Sequence, residues 1–272
     1  MTATDDAPLL AEEVHAYYAR GAEDGRLRSG ADRLEFWRTQ DVLRRLLPAA
    51  PARVLDVGGG SGVHAEWLVA DGHHVRLVDP VALHVEQASK LPGVEAVLGD
   101  ARELDAADGS ADVVLLLGPL YHLTECADRV RALAEARRVV RPGGLVVAAT
   151  INRFAALHDT VNRGWYLDDP GRRPQVDGAS TDGRLLVTGD RPTFTTAYFH
   201  QPHQVPDEFE AAGLRTTGQY GVEGTVWLMG AVNDWLDDPE RRATVLDVLR
   251  RTESEPSLLG ASGHLLTAGR RS

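Results

Sequence analysis

The chain has 272 residues, of which 43% are apolar and 25% are charged. This length and composition suit a folded α/β protein with insertions and exclude a disordered or fibrous one. The 40 acidic residues outnumber the 29 basic ones and give a formal net charge of −11, which repels phosphate backbones, so we expect no nucleic-acid partner.

The first fifty residues show the pattern of helices. Apolar residues recur at helical spacing from Leu9 to Tyr18 and again from Leu34 to Leu47. Two prolines, Pro48 and Pro51, close this region. We therefore expect residues 1–50 to form an N-terminal helical cap.

Strands and helices alternate in the next hundred residues. The predicted strands are residues 53–57, 74–79, 94–98, 112–117 and 145–150, and the predicted helices are residues 62–70, 81–90 and 126–140. Alternation at this spacing predicts a mostly parallel sheet with helices on both faces. Residues 51–150 are thus expected to form a Rossmann-like, ligand-binding α/β core.

The alternation stops at residue 151 and resumes at about residue 203. The segment between them, residues 151–202, contains a short helical stretch, a loop rich in Pro, Gly and Asp, and a hairpin predicted at 184–188 and 193–199. We expect this segment to be an inserted lid. Residues 203–272 return to the core pattern, with helices predicted at 205–212 and 236–251 and strands at 214–220 and 264–268. The whole chain, 1–272, is predicted to be one domain.

A glycine-rich loop follows the first predicted strand. Residues 54–62 read Val-Leu-Asp-Val-Gly-Gly-Gly-Ser-Gly, and glycines at a strand-to-helix turn let a ligand approach the backbone closely. By itself the loop is also consistent with a tight turn in any α/β protein. The dinucleotide pattern G-x-G-x-x-G is not met, because Gly62 comes one residue early. Asp56, just before the loop, would repel a diphosphate and favour a cationic ligand.

Further polar loops follow the next three strands. Asp79 lies about 20 residues beyond the glycine loop, where a carboxylate can bind ribose hydroxyls, although Asp79-Pro80 is also a good turn pair. Asp100, in Gly-Asp-Ala, can bind an adenine amino group, although a lone Asp there more often caps a helix or turn. The segment from Leu117 to His122 leaves the sheet at its carboxyl edge, where open α/β folds bind ligands.

Acidic residues and glycines at the ends of four successive strands resemble the class I S-adenosylmethionine-dependent methyltransferases, over residues 53–150. The resemblance implies S-adenosylmethionine as cofactor, S-adenosylhomocysteine as product, and a seven-stranded sheet completed by residues 264–268. It also implies positions for the cofactor: Asp56, Gly58 and Gly60 at the methionine part, Asp79 with Pro80 at the ribose, Asp100 and Ala101 at the adenine, and Leu117 at the methyl-donor side. The fourth loop is not the Asn/Asp-Pro-Pro-Tyr of members that methylate bases or glutamine, which disfavours amino-group methylation of nucleic acids or proteins. Tyr17-Tyr18 and the stretch Tyr198-Phe199-His200 resemble members that act on small molecules, so we expect a small-molecule acceptor and O- or N-methylation.

Methyl transfer from a sulfonium is an in-line displacement, to which positioning contributes about 7–11 kcal/mol. A general base adds about 10²–10⁴-fold when the acceptor loses a proton. His122 is the first candidate for a base or an acceptor-orienting group, with a helix-start role as an equal alternative. His200, where the lid rejoins the core, is the second candidate, with lid packing as its alternative. Tyr17, Tyr18 and Tyr121 are candidates to shield the sulfonium through their ring faces, although helix packing explains Tyr17 and Tyr18 equally well.

Other features of the sequence bear on the cell compartment, membrane association and metal binding, but do not identify the acceptor. The single cysteine, Cys126, excludes an internal disulfide framework, and the acidic residues 1–6 lack the apolar segment of a signal peptide. No apolar run approaches the about 18 residues that span a bilayer, so we expect a cytoplasmic monomer or homodimer away from membranes. The histidine spacings do not match a zinc site, so no metal is expected. Glu223, after the sixth strand, could contact a polar acceptor or cap a helix.

Two other functions stay open at this point. The first is a protein that binds S-adenosylmethionine without methylating, such as a cyclase or a sensor. The second is a nicotinamide-dependent oxidoreductase, which the glycine spacing disfavours. A non-catalytic partner subunit is disfavoured because Asp56 and Asp79 accompany an intact glycine loop.

Overall fold

The computed structural model describes Val14, Tyr18, Gly25 and Leu27 and residues 32–186, 194–230 and 232–272. Most of the helix predicted around residues 9–18, and the tip of the hairpin predicted between 184 and 199, lie outside the described residues. The second helix of the predicted cap is present as α1 (Arg33–Leu46). Its residues Leu34, Val42 and Leu43 are buried against the rest of the protein, as the apolar spacing predicts.

Nine strands are found within the described ranges: β1 (Arg53–Val57), β2 (His74–Asp79), β3 (Val94–Leu98), β4 (Ala111–Leu116), β5 (Val140–Asn152), β6 (Arg184–Leu185), β7 (Ala197–His200), β8 (Leu214–Gly221) and β9 (His264–Arg271). The other helices there are α2 (Val63–Ala70), α3 (Ala82–Ala88), α4 (Pro119–His122), α5 (Cys126–Val139), α6 (Ala155–Asn162), α7 (Trp165–Asp168), α8 (Arg173–Asp182), α9 (Gln204–Ala211), α10 (Val232–Leu236), α11 (Pro239–Thr252) and α12 (Pro256–Leu259), with 3-10 turns at Pro170–Arg172 and Val226–Leu228.

The sheet has the Rossmann-like order expected from the sequence, with two added strands. Strands β3, β2, β1, β4 and β5 are adjacent and parallel. Antiparallel β9 pairs with β5, and β8 pairs antiparallel with β9, which completes the seven-stranded arrangement. The lid adds β7, which pairs in parallel with Ile151 and Asn152 at the end of β5, and β6, which pairs antiparallel with β7. This addition is possible because β5 continues past the end of β4 and leaves an unpaired edge there.

Successive residues of β4 build the core on the two faces of the sheet. Val113 and Leu115 belong to an apolar cluster with Leu43 of α1 and Leu68 of α2. Val114 and Leu116 belong to a cluster with Leu133 of α5 and Phe209 of α9. Because side chains alternate along a strand, a strand that is apolar throughout must be covered on both faces.

The helix predicted over residues 236–251 is present as α11, which begins at Pro239 rather than at Leu236 because α10 ends there and a break separates the two helices. The break occurs at Asp238-Pro239, where the Asp238 side chain accepts hydrogen bonds from the backbone N–H groups of Glu240 and Arg241. Proline fits the first turn of a helix but interrupts one that is already running. Asp238 therefore caps a new helix.

Candidate active site

The glycine loop after β1 has a backbone that only glycine adopts without strain. Gly58, Gly60 and Gly62 have φ values of 70°, 59° and 91°, in the left-handed region. A Cβ atom on Gly58 would lie 2.7 Å from Cδ of Pro119. The N–H of Gly58 donates to the carbonyl of Val78 at 2.7 Å, so the loop is held over the end of β2.

One cavity lies at the carboxyl edge of the sheet, and we call it the cofactor cavity. It is bordered by the loops that follow β1, β2, β3 and β4 and by the described residues of the N-terminal region. The residues expected at the cofactor that line it are Gly58, Gly60, Asp79, Pro80, Asp100, Ala101, Leu117 and Tyr18. The catalytic candidates Tyr121 and His122 also line it. The parallel strands bring these loops together, since all of them end at the same edge.

Asp79 is a buried carboxylate that is held from three sides. It is 4% exposed; its Oδ2 accepts from the N–H of Gly60 at 2.9 Å, and its Oδ1 accepts from the N–H of Val81 at 2.9 Å. The Oδ1 atom also lies 3.0 Å from Nδ1 of His84. The turn and the ligand-facing position expected for Asp79 are therefore compatible, because the bond to Val81 forms the turn while the side chain lines the cavity.

Asp56 does not line the cofactor cavity, contrary to the expectation that it faces the ligand. Its side chain is fully buried beneath the loop, with Oδ2 2.6 Å from where a Cβ of Gly59 would lie. Neither carboxyl oxygen has a hydrogen-bond partner among the described residues. Burial, with the charge of Asp79 as a second cause, raises the pKa of Asp56 to about 7.

Asp100 is paired within its own loop. Its carboxylate accepts from the N–H of Arg102 at 2.7 Å and from Nη2 of the same residue at 2.7 Å. This is the turn geometry that the sequence leaves open as an alternative. Asp100 and Ala101 nevertheless border the cavity, so the turn places them next to any ligand there.

His122 is held by an aromatic and hydroxyl cluster after β4. Its Nε2 lies 2.7 Å from the hydroxyl of Tyr18, and its Nδ1 lies 3.3 Å from Oγ1 of Thr195. The ring of Tyr121 packs edge-on at 4.7 Å between centroids. Both ring nitrogens of His122 are therefore engaged, which favours an orienting role over uptake of a proton.

His200 is fully buried and lines neither the cofactor cavity nor the cavity that Phe199 lines. Its Nε2 lies 3.4 Å from Oε2 of Glu208, and its ring packs on Tyr198. Burial lowers its pKa, against a smaller opposing effect of Glu208. The reason is strand alternation: Phe199 of β7 faces a cavity, so its neighbours Tyr198 and His200 face the other side of the sheet. The position of His200 is therefore that of its alternative role, a histidine that packs where the lid meets the core.

A second cavity, which we call the acceptor cavity, lies between the lid and α1. It encloses about 630 Å³ and shares Tyr18, Glu35 and Tyr121 with the cofactor cavity. Its aromatic walls include Trp165 and Phe199. The residues that form it come from α1, the lid, the segment after β8 and the start of β9, so tertiary packing alone assembles it.

A carboxylate–histidine cluster lies in the acceptor cavity. Oε1 of the buried Glu223 lies 2.6 Å from Nδ1 of His264, and its Oε2 accepts from Oγ of Ser262 at 2.9 Å. Oε2 of Glu35 lies 4.0 Å from the same Nδ1. Two carboxylates and an imidazole this close can hold a divalent cation, which short-range histidine spacing does not reveal. Sequence reasoning considered Glu223 and missed His264, whose only signal was the start of a strand.

Comparison with known proteins identifies the core. The family model described as "Methyltransferase domain" matches residues 55–148, from β1 into β5. An uncharacterized methyltransferase of Mycobacterium tuberculosis is 45% identical over 101 residues, which are 36% of this chain and 40% of that protein. A probable S-adenosylmethionine-dependent methyltransferase of the same species is 36% identical over 131 residues, 46% of each chain.

Residues 55–148 belong to the class I S-adenosylmethionine-dependent methyltransferases. The family's cofactor is S-adenosylmethionine, as the resemblance of this sequence implies. The matched region spans less than half the length of these curated relatives. A Thermotoga maritima structure described as a possible histamine N-methyltransferase shares the fold, with a TM-score of 0.57 and 17% identity over 95% of this chain and 99% of that one. Every helix in the described ranges is too short or too polar to cross a bilayer.

Proposed function

We propose that this chain transfers the methyl group of S-adenosylmethionine to a small molecule held in the acceptor cavity. The observation that carries the proposal is the junction of the two cavities at Tyr18, Glu35 and Tyr121. A donor in one cavity would have its sulfonium beside an acceptor in the other. In-line displacement needs that arrangement and little covalent help from the protein.

The proposed cofactor contacts are Gly58, Gly60, Asp79, Pro80, Asp100, Ala101, Leu117 and Tyr18. Their support is that all of them border one cavity at the carboxyl ends of parallel strands. Asp56 would act differently, through its charge from beneath the glycine loop. A cationic sulfonium ligand favours the ionised form of a carboxyl nearby, so the ligand and Asp56 are expected to be coupled.

For the acceptor, we propose that Tyr121 and His122 orient the molecule and that His264 takes up the proton. Glu223, as an ionised carboxylate, only accepts hydrogen bonds, so Nδ1 of His264 carries the hydrogen and Nε2 is the basic nitrogen. This carboxylate–imidazole pair is a usual arrangement for a general base. It suits a hydroxyl or amine acceptor, and the aromatic walls suit a molecule with a flat or apolar body.

The experiment begins with calorimetric titration of S-adenosylhomocysteine into the purified protein. Methyl-labelled S-adenosylmethionine is then incubated with the protein and a size-filtered small-molecule extract. We expect label to enter a small molecule only when both protein and extract are present. Binding without transfer would favour the cyclase or sensor alternative, and stabilisation by NAD(P)H but not by S-adenosylhomocysteine would favour the oxidoreductase.

We further propose that residues 1–272 act as one domain, as a monomer or homodimer in the cytoplasm, without nucleic acid. Support for the single domain is that β9, near the end of the chain, pairs with β5 in the middle of the sheet. The net charge of −11 disfavours phosphate-rich partners. Size-exclusion chromatography with light scattering checks the oligomeric state.

A further inference from the structure

His84 is a buried histidine in the wall of the cofactor cavity, in α3. Its side chain is 4% exposed and borders the cavity. Its Nδ1 lies 3.0 Å from Oδ1 of Asp79, whereas its Nε2 has no hydrogen-bond partner within the described chain. Buried polar atoms in folded proteins are nearly always paired, so an unpaired one at a ligand cavity needs a reason.

The contact with Asp79 determines what the unpaired nitrogen offers. An ionised carboxylate has no hydrogen to donate, so Nδ1 of His84 is the donor in this pair. In the neutral imidazole the other nitrogen is then an acceptor. Nε2 therefore presents a lone pair that only a hydrogen-bond donor can satisfy.

Asp79 alone has too few acceptor positions for a whole ribose. A carboxylate offers about four lone-pair positions, and Asp79 already accepts from Gly60, Val81 and His84. About one position remains for a ligand. A nucleoside brings two ribose hydroxyls, both of which can donate, so a second acceptor close to Asp79 is needed.

We propose that Nε2 of His84 accepts a hydrogen bond from one ribose hydroxyl of the cofactor, while Asp79 accepts from the other. This inference rests on the proposed function, because it assumes that the nucleoside occupies this cavity. The ring of Tyr18 packs edge-on against His84 at 5.4 Å between centroids and limits access of water from that side. His84 would thus be a cofactor-binding residue that also positions Asp79.

Two amide variants separate these roles of His84. In His84→Asn the amide N–H replaces Nδ1 and keeps the bond to Asp79, but the acceptor at Nε2 is lost. In His84→Gln the amide oxygen stands near the former Nε2, while the bond to Asp79 is lost. The matched control is His73→Asn, since His73 is buried with an unpaired Nδ1 and borders neither the cofactor cavity nor the acceptor cavity.

The measurement is calorimetric titration of each protein with S-adenosylhomocysteine and with its 2′-deoxy and 3′-deoxy analogues, at about pH 8, which is above the pKa of free imidazole. We expect the wild type to bind each analogue about 3- to 10-fold more weakly than the parent. His84→Asn should bind the parent about 3- to 10-fold more weakly than wild type and lose the discrimination against one analogue. His84→Gln should retain part of that discrimination, and His73→Asn should match wild type.

Two results overturn different claims. If His84→Asn keeps the wild-type discrimination against both analogues, Nε2 does not contact a ribose hydroxyl and the inference on His84 is refuted. If the wild type itself binds no S-adenosylhomocysteine, the proposed function is refuted. Should His84→Asn fail to fold by circular dichroism, His84→Leu replaces it: this variant loses both ring nitrogens, and wild-type discrimination against both analogues in it would equally refute the inference.

Discussion

Replacing Asp56 by Asn should remove a large pH dependence from the folding stability. The Asp56 carboxyl is fully buried, and burial together with the charge of Asp79 raises its pKa to about 7 from the ordinary value of 3.8. The folded protein therefore holds this proton more tightly than the unfolded chain does. The stability that the protonated group contributes is complete below pH 3.8 and is lost as the pH rises toward about 7.

The size of the effect follows from the two pKa values. They differ by about three pH units, and each unit corresponds to 1.36 kcal/mol, so the full effect is about 4 kcal/mol. About two of these units lie above pH 5. Between about pH 5 and pH 8, the wild type should therefore lose roughly 3 kcal/mol that Asp56→Asn does not lose. That is a large part of the 5–15 kcal/mol typical of folded proteins.

The assay is urea unfolding followed by circular dichroism at several values between these two pH limits. The matched control is Asp105→Asn, which removes the same charge from an exposed carboxylate. The free energy of unfolding of this control should change with pH as that of the wild type does. If the free energy of unfolding of Asp56→Asn also changes with pH as that of the wild type does, Asp56 keeps its ordinary pKa in the folded protein and the argument from burial fails.

Four further substitutions test the loop and the two cavities. Gly58→Ala should destabilise the fold by more than about 1 kcal/mol, because φ of Gly58 is +70° and the added Cβ would lie too close to Pro119. The control Gly260→Ala should have a melting temperature close to that of the wild type. Equal melting temperatures of the two variants would contradict this prediction. Asp79→Ala should weaken S-adenosylhomocysteine binding by about 1–3 kcal/mol in calorimetry, and unchanged affinity would remove it from the site. His122→Ala should lower turnover more than it lowers donor affinity. His264→Gln should change the part of the pH–rate profile in which the rate rises with pH, because a general base acts only when it is deprotonated. An unchanged profile would contradict the role of His264.

The sequence determined the strands of the parallel sheet and the place of the cofactor cavity. Apolar runs placed β1 to β4 to within a residue or two of their observed bounds, because a strand buried on both faces is apolar throughout. The spacing of Gly58 and Gly60 after β1 and the position of Asp79 after β2 are local patterns. Once parallel strands are accepted, their loops must meet at one edge of the sheet, so the position of this cavity follows from local information.

Only the tertiary structure decided which way particular side chains face and which distant residues meet. Glu35, Glu223 and His264 come from a helix, a loop and a strand far apart in the chain, and no spacing links them. His200 turned away from the acceptor cavity because β7 pairs with β5 in a register that gives Phe199 that face. Asp56 is likewise buried beneath the glycine loop, because the backbone at Gly59 packs over its carboxyl group. The local spacing of apolar residues shows which residues are apolar and at what interval. These contacts depend instead on the register and packing of helices and strands that come together only in the folded protein.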